Sequence, residues 1–113
     1  MQILCHLSQL IEKSAEQYGE KIALSYRDYD REQWMGISWN LFARRVDQSA
    51  RSLVALGVGV QDNVAVFSQN KPESLFVEFG CFRARAVQIP FYATTAGAQV
   101  QYMVNDAQIR VIF

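Results

Sequence analysis

Hydrophobic positions along the chain change their period at identifiable points. Leu4, Leu7, Ile11, Ala15 and Tyr18 recur at helical spacing, and Gly19 stands where a C-terminal cap belongs. From Ile22 the period drops to two. Ile22, Leu24 and Tyr26 alternate with Ala23, Ser25 and Arg27. Beyond the polar turn at 28–32, Met35, Ile37 and Trp39 alternate with Trp34, Gly36 and Ser38. The two runs predict an antiparallel hairpin. Ser38 is a suitable N-cap for a second helix, although Leu41 excludes a capping box. Phe42, Val46, Ala50, Leu53 and Leu56 form the apolar face of that helix. Arg44, Arg45, Asp47, Gln48 and Arg51 lie opposite and read as solvated, with Asp47 and Arg51 paired four residues apart.

From Gly57 onward the pattern is strand, helix, strand, helix, strand. Gly57-Val58-Gly59 reads as a helix stop, and Val64 to Phe67 is an apolar, β-branched strand. Asn70-Lys71-Pro72-Glu73 marks a helix start, with proline early and an acid in the first turn. Val87 to Ile89 is the next strand, closed by Pro90. Thr94 or Thr95 is the expected cap of a helix whose inner face is Val100, Met103, Val104 and Ala107. Ile109 to Phe113 reads as a buried strand. Crossovers long enough to hold helices imply three parallel strands with right-handed connections. The fold class is therefore α/β. Residues 1–59 supply helix, hairpin and helix, and 60–113 a βαβαβ unit. The helix from Glu73 to Ala84 is apolar nearly all round, so it needs cover on more than one side. One sheet face supplies one cover. The expectation is that the other comes from further polypeptide or a second subunit, which also makes a dimer the expected state of the isolated piece. A chain closing on a buried strand likewise reads as the front of something larger.

Composition sharpens this in a few places. With 113 residues, the chain amounts to one domain at most. Eleven basic residues balance eleven acidic ones, so no global field attracts nucleic acid. Trp34 and Trp39 flank no basic stripe on which bases would stack. Cys5 and Cys81 lack metal or redox spacing and read as buried thiols in a reducing compartment, which points to the cytoplasm. Residues 1–6 lack the basic n-region and long apolar core expected of a signal peptide. A nucleophile–base–acid triad needs a histidine, and the one present, His6, reads as a surface residue. No glycine-rich turn joins a strand to a helix to cradle phosphate. Residues 66–70 offer no acidic cluster.

Taken in order, the motifs resemble the N-terminal segment of the adenylate-forming enzymes, and within them the long-chain fatty acid CoA ligases. Tyr18-Gly19-Glu20-Lys21-Ile22-Ala23-Leu24, Ile37-Ser38-Trp39, Leu56-Gly57-Val58 and Asp62-Asn63-Val64-Ala65-Val66 carry the first part of the likeness. Asn70-Lys71-Pro72-Glu73, Ile89-Pro90-Phe91-Tyr92-Ala93-Thr94, Gln99-Val100-Gln101-Tyr102 and Asn105-Asp106 carry the rest. Three positions depart from the family pattern. Gln61 replaces a glycine before Asp62, Ser74 an aromatic, and Arg85 a glycine ahead of the Val87 strand, which puts a positive φ on a non-glycine residue.

The resemblance implies a partial adenylate-forming domain. It also implies a parent enzyme that uses ATP, Mg²⁺ and coenzyme A to activate a fatty acid through an acyl-adenylate. The phosphate loop, ribose aspartate and catalytic lysine of that family have no counterpart in residues 1–113. No catalytic, cofactor-binding or metal-binding residue is therefore expected here. The expected partner is the remainder of its own chain. The competing reading is a stand-alone α/β interaction or regulatory module derived from such an enzyme.

Overall fold

The computed structural model describes residues 6–113, so Leu4 and Cys5 lie outside the described residues. Helix α1 spans Leu7–Tyr18. His6 precedes it as an exposed N-cap residue whose side chain makes no capping bond. Gly19 closes the helix at φ +49°, its N–H donating to the Ala15 carbonyl. Strands β1 (Ile22–Asp28) and β2 (Gln33–Ser38) then pair antiparallel as expected. The Asp28 carboxylate holds their turn, accepting from the Asp30 N–H at 3.0 Å and the Arg31 N–H at 3.1 Å. Helix α2 covers Trp39–Ala55, and the Ser38 hydroxyl accepts from the Leu41 N–H at 3.1 Å, which makes it the cap the pattern predicts. Trp39 therefore opens the helix and does not continue the strand alternation. The inner hairpin residues Leu24, Tyr26 and Ile37 pack with Ile11, Phe42 and Val46 in one apolar cluster.

The remainder forms β3 (Asn63–Ser68), α3 (Pro72–Arg83), β4 (Val87–Tyr92), α4 (Gly97–Asp106) and β5 (Ile109–Ile112). The three strands make a parallel sheet in the order β4-β3-β5, separate from the hairpin. Val64 on β3 packs with Val77 and Cys81 of α3. Asn63, the neighbouring position, instead sends its amide to the Ala107 carbonyl at the end of α4, at 2.6 Å. Successive strand residues face opposite sides, so α3 and α4 cover opposite faces of the sheet.

Several expectations are corrected. Pro90 does not end β4, which runs on to Tyr92 with Pro90 in register with Val66. β4 is an edge strand, and there a missing N–H costs no ladder bond. Neither Thr94 nor Thr95 caps α4. The Thr95 N–H closes a turn on the Tyr92 carbonyl, and the helix starts at Gly97 behind an Ala96 that makes no side-chain cap. Leu56 leaves the apolar stripe of α2 and is exposed. The chain has already turned there, with Gly57 at φ +83° and the Val58 N–H reaching back to the Leu53 carbonyl. β5 is not a buried strand, because none of its residues is buried and it lies at the sheet edge.

The second cover of α3 is also internal. Val77 and Cys81 face the sheet, with Leu53 of α2 and Val64 in the same cluster. Phe76 and Phe79 face the other way and meet Phe42 of α2, one tilted and one edge-on, at ring-centroid distances of 5.7 and 5.9 Å. Gly80 makes this approach possible. A Cβ there would sit 2.8 Å from the Ser49 Cβ and 3.1 Å from the Ala50 nitrogen. The chain thus folds α1 and α2 over a helix that its sequence left looking half-covered.

Candidate functional site

In open parallel sheets, ligand crevices form at strand carboxyl ends where neighbouring connections depart to opposite faces. β3 and β4 meet that condition, since one leads to α3 and the other to α4. A wide crevice of about 280 Å³ lies there, lined by Phe67, Ser68, Gln69, Lys71 and Ala93. Its loop is braced from within. The Ser68 hydroxyl donates to the Gln69 carbonyl at 2.8 Å and the Ser74 hydroxyl to the same carbonyl at 3.2 Å. The Ser74 N–H donates to the Lys71 carbonyl at 3.1 Å. Ser74, one of the departures from the family pattern, therefore ties the start of α3 to the end of β3. Lys71 occupies the N-cap position without a side-chain capping bond, Pro72 follows it, and Glu73 sits in the first turn.

The polar groups of the crevice are one ammonium, one hydroxyl, one amide and the positive end of α3. They can orient a polar or anionic group. They do not assemble a nucleophile with a base, and His6 belongs to the opposite end of the chain. Among the described residues no group of three or more His, Cys, Asp or Glu side chains could hold a metal ion. The signal for this site is strand order, which no local pattern carries, so Ser68 and Gln69 stand out only once the chain is folded.

A second depression, of about 310 Å³, is lined by Asp47, Ala50, Arg51, Val54, Arg83 and Ala84. Its charges neutralise one another. Asp47 takes Arg51 at 2.8 Å, as the spacing predicts, and Arg83 at 3.7 Å, while Arg83 also lies 3.9 Å from Glu12. Cys81 is fully buried, and burial, with Glu78 adding to it, pushes its thiol from 9.0 up to about 11. Such a thiol is inert packing, not a nucleophile. Trp34 lies exposed on the hairpin. The two glycine replacements do adopt left-handed backbone, Gln61 at φ +66° and Arg85 at φ +60°. The Gln61 N–H donates to the Arg85 carbonyl at 2.8 Å, so both strained residues sit together where β3 and β4 begin, away from the crevice. No helix among the described residues is long and apolar enough to cross a membrane.

Comparison with known proteins places these features in context. Residues 11–113 match the family model described as AMP-binding enzyme. The long-chain-fatty-acid–CoA ligase FadD15 of Mycobacterium bovis is 29% identical over 80 residues, which is 71% of this chain and 13% of that protein. The long-chain-fatty-acid–CoA ligase heimdall of Drosophila melanogaster is 27% identical over 107 residues, which is 93% of this chain and 16% of that protein. The chain thus spans a small part of the relatives it matches. Among solved structures, the inhibitor-bound N-terminal domain of FACL13 from Mycobacterium tuberculosis superposes with a TM-score of 0.84 at 20% identity. That match covers 96% of this chain and 26% of that domain.

Proposed function

Because this chain belongs to the AMP-binding enzyme family, we propose that it is the N-terminal scaffold portion of an ATP-dependent long-chain fatty acid–CoA ligase. In this reading the whole polypeptide joins a fatty carboxylate to the α-phosphate of ATP and releases pyrophosphate. The thiol of coenzyme A then attacks the acyl carbon, AMP leaves, and one proton is lost. ATP with Mg²⁺, fatty acid and coenzyme A are partners of that whole enzyme. Residues 1–113 form one partial domain, with 1–59 as helix, hairpin and helix and 60–113 as the βαβαβ unit, and contribute support in place of catalytic, cofactor-binding or metal-binding side chains. The match over residues 11–113 carries the reading, and relatives named as long-chain ligases supply its substrate class. The proposed compartment is the cytoplasm, consistent with the free, buried Cys81.

The test is pyrophosphate exchange with ATP and a fatty acid. The 113-residue chain should stay at the no-enzyme background, and a polypeptide that includes the sequence encoded after it should exceed that background. Turnover by residues 1–113 alone would overturn the scaffold role. In isolation the chain is expected to sediment as a dimer at micromolar concentration, and a single monomeric species across a tenfold dilution would refute that.

One observation favours the second reading, a stand-alone interaction or regulatory module. α3 finds both of its covers within this chain, and two apolar clusters close without outside help. A reading frame that stops at Phe113 would decide for the module.

A further inference from the structure

The three helices packed together on one side of the sheet are not equally fixed. α2 is capped at its start by Ser38 and stopped at its end by the Val58 N–H on the Leu53 carbonyl, and it buries Phe42, Val46 and Leu53. α1 buries Ile11 alone, which sits with Phe42 and Val46 beside Phe76 and Phe79. Its start has no side-chain cap and no acid in the first turn, and no base stands in its last turn. Its exit is firmly held. There Gly19 turns at φ +49°, and the Asn40 N–H donates to the Gly19 carbonyl at 3.0 Å. The Trp39 N–H donates to the Lys21 carbonyl at 3.0 Å, and the Asn40 amide to the Glu20 carboxylate at 2.7 Å. Residues 19–21 are thus fastened to the first turn of α2, and a glycine lies at the junction, where rotation is cheapest.

Among the described residues, one ion pair ties α1 to another helix. The Arg83 guanidinium of α3 lies 3.9 Å from the Glu12 carboxylate and 3.7 Å from Asp47 of α2, and Asp47 also takes Arg51 at 2.8 Å. When Glu12 leaves, Arg83 keeps Asp47, so release leaves no unpaired cation behind. We propose that α1 is a hinged strap. It opens as one unit about Gly19 while α2, α3 and the sheet stay folded, and the Glu12–Arg83 pair is the salt-sensitive latch that sets how often it does so. The seat it vacates is the aromatic face of Phe42, Phe76 and Phe79, with Phe82 edge-on to Phe79. Segments with little buried surface are those that open ahead of a whole domain. An exposed pair is weakened by salt, because at about 0.5 M the screening length falls to roughly 4 Å. Opening needs no substrate, so it stands apart from the ligase reading.

Amide hydrogen exchange of the 113-residue chain, followed residue by residue by NMR, is the test. The amides from Ile11 to Tyr18 should share one protection factor to within about threefold, about a hundredfold or more below those of Val46 and Leu53 on α2. Raising sodium chloride from about 0.05 to about 0.5 M should increase the opening of α1 about two- to fivefold. Glu12→Gln should give that increase at low salt and abolish the response. Glu16→Gln removes the same charge from an exposed position outside the ion-pair network and should retain the response. Both glutamates are exposed, so neither substitution disturbs the core, and circular dichroism checks each variant. Protection in α1 equal to that in α2, or protection that fades residue by residue from Leu7, would overturn the strap. Absence of a salt response in the unsubstituted chain, or an equal one in Glu12→Gln, would overturn the latch.

Discussion

Among the described residues, one face of the parallel sheet is covered by the helical layer of α1, α2 and α3, and the other by α4 alone. On the first, Leu53, Val64 and Cys81 are almost wholly buried around a helix that is apolar on nearly every side. On the second, Ala65 and Phe91 are buried, but no residue of α4 is. The difference lies in the helices. α3 offers Phe76, Val77, Phe79 and Cys81, so it buries surface in two directions, whereas α4 interleaves Val100, Met103 and Val104 with Gln99, Gln101 and Asn105. The helical side is a finished core. The α4 side is thinly covered and ends in the open edge at β5.

The sharpest way to break this comparison is to truncate one aliphatic side chain on each face to alanine. Leu53→Ala should cost about 2–5 kcal/mol, as removal of a fully buried leucine does, and Val104→Ala on half-buried α4 less than about 1.5 kcal/mol. Urea denaturation measures both, and equal losses would erase the distinction between the faces. Cys81 probes the finished side by pH. Its folded thiol titrates near 11 and its unfolded thiol near 9.0, so the unfolded state binds fewer protons in that window. The stabilisation is complete below pH 9.0 and declines as pH rises towards about 11, by about 1.4 kcal/mol per unit at most. Cys81→Val should flatten the decline, and an unchanged slope would show that the thiol is not responsible.

Glycines give a smaller contrast of opposite sign. Gly80→Ala should destabilise by about 1–3 kcal/mol, because the added methyl meets α2 at 2.8 Å. Gly97→Ala has nothing within 4 Å and should stabilise α4 by about 0.5–1 kcal/mol. Thermal midpoints moving in the same direction would contradict this account of the helix contacts. The smallest effect belongs to the strand entries that serve both faces. Arg85→Gly relieves a left-handed residue but frees the unfolded chain, so a net gain of a few tenths to about 1 kcal/mol is expected in urea titrations. A loss would mean that the Arg85 side chain holds a contact worth more than the strain.

Much of this was legible from residues in order. The period change at Ile22, the Ser38 cap, the Gly19 and Gly57 stops and the strand–helix units after Gly57 are all local, and each appears where its chemistry requires. The strain at Arg85 was legible for the same reason, as the family motif asks for glycine there. The crevice was not, because Ala93 lies far from Phe67 and Ser68 in sequence and meets them only through strand order.

The sequence by itself determined the elements, their parallel pairing and the family, since periodicity, caps and crossover length act over a few residues or one connection. Tertiary structure alone decided what lies beside each element. Pro90 could continue β4 because that strand became an edge, α3 found its second cover in α2 through Gly80, and β5 stayed half-exposed because no strand among the described residues pairs beyond it. Burial and edge position are properties of neighbours, and neighbours are set by the packing of distant segments.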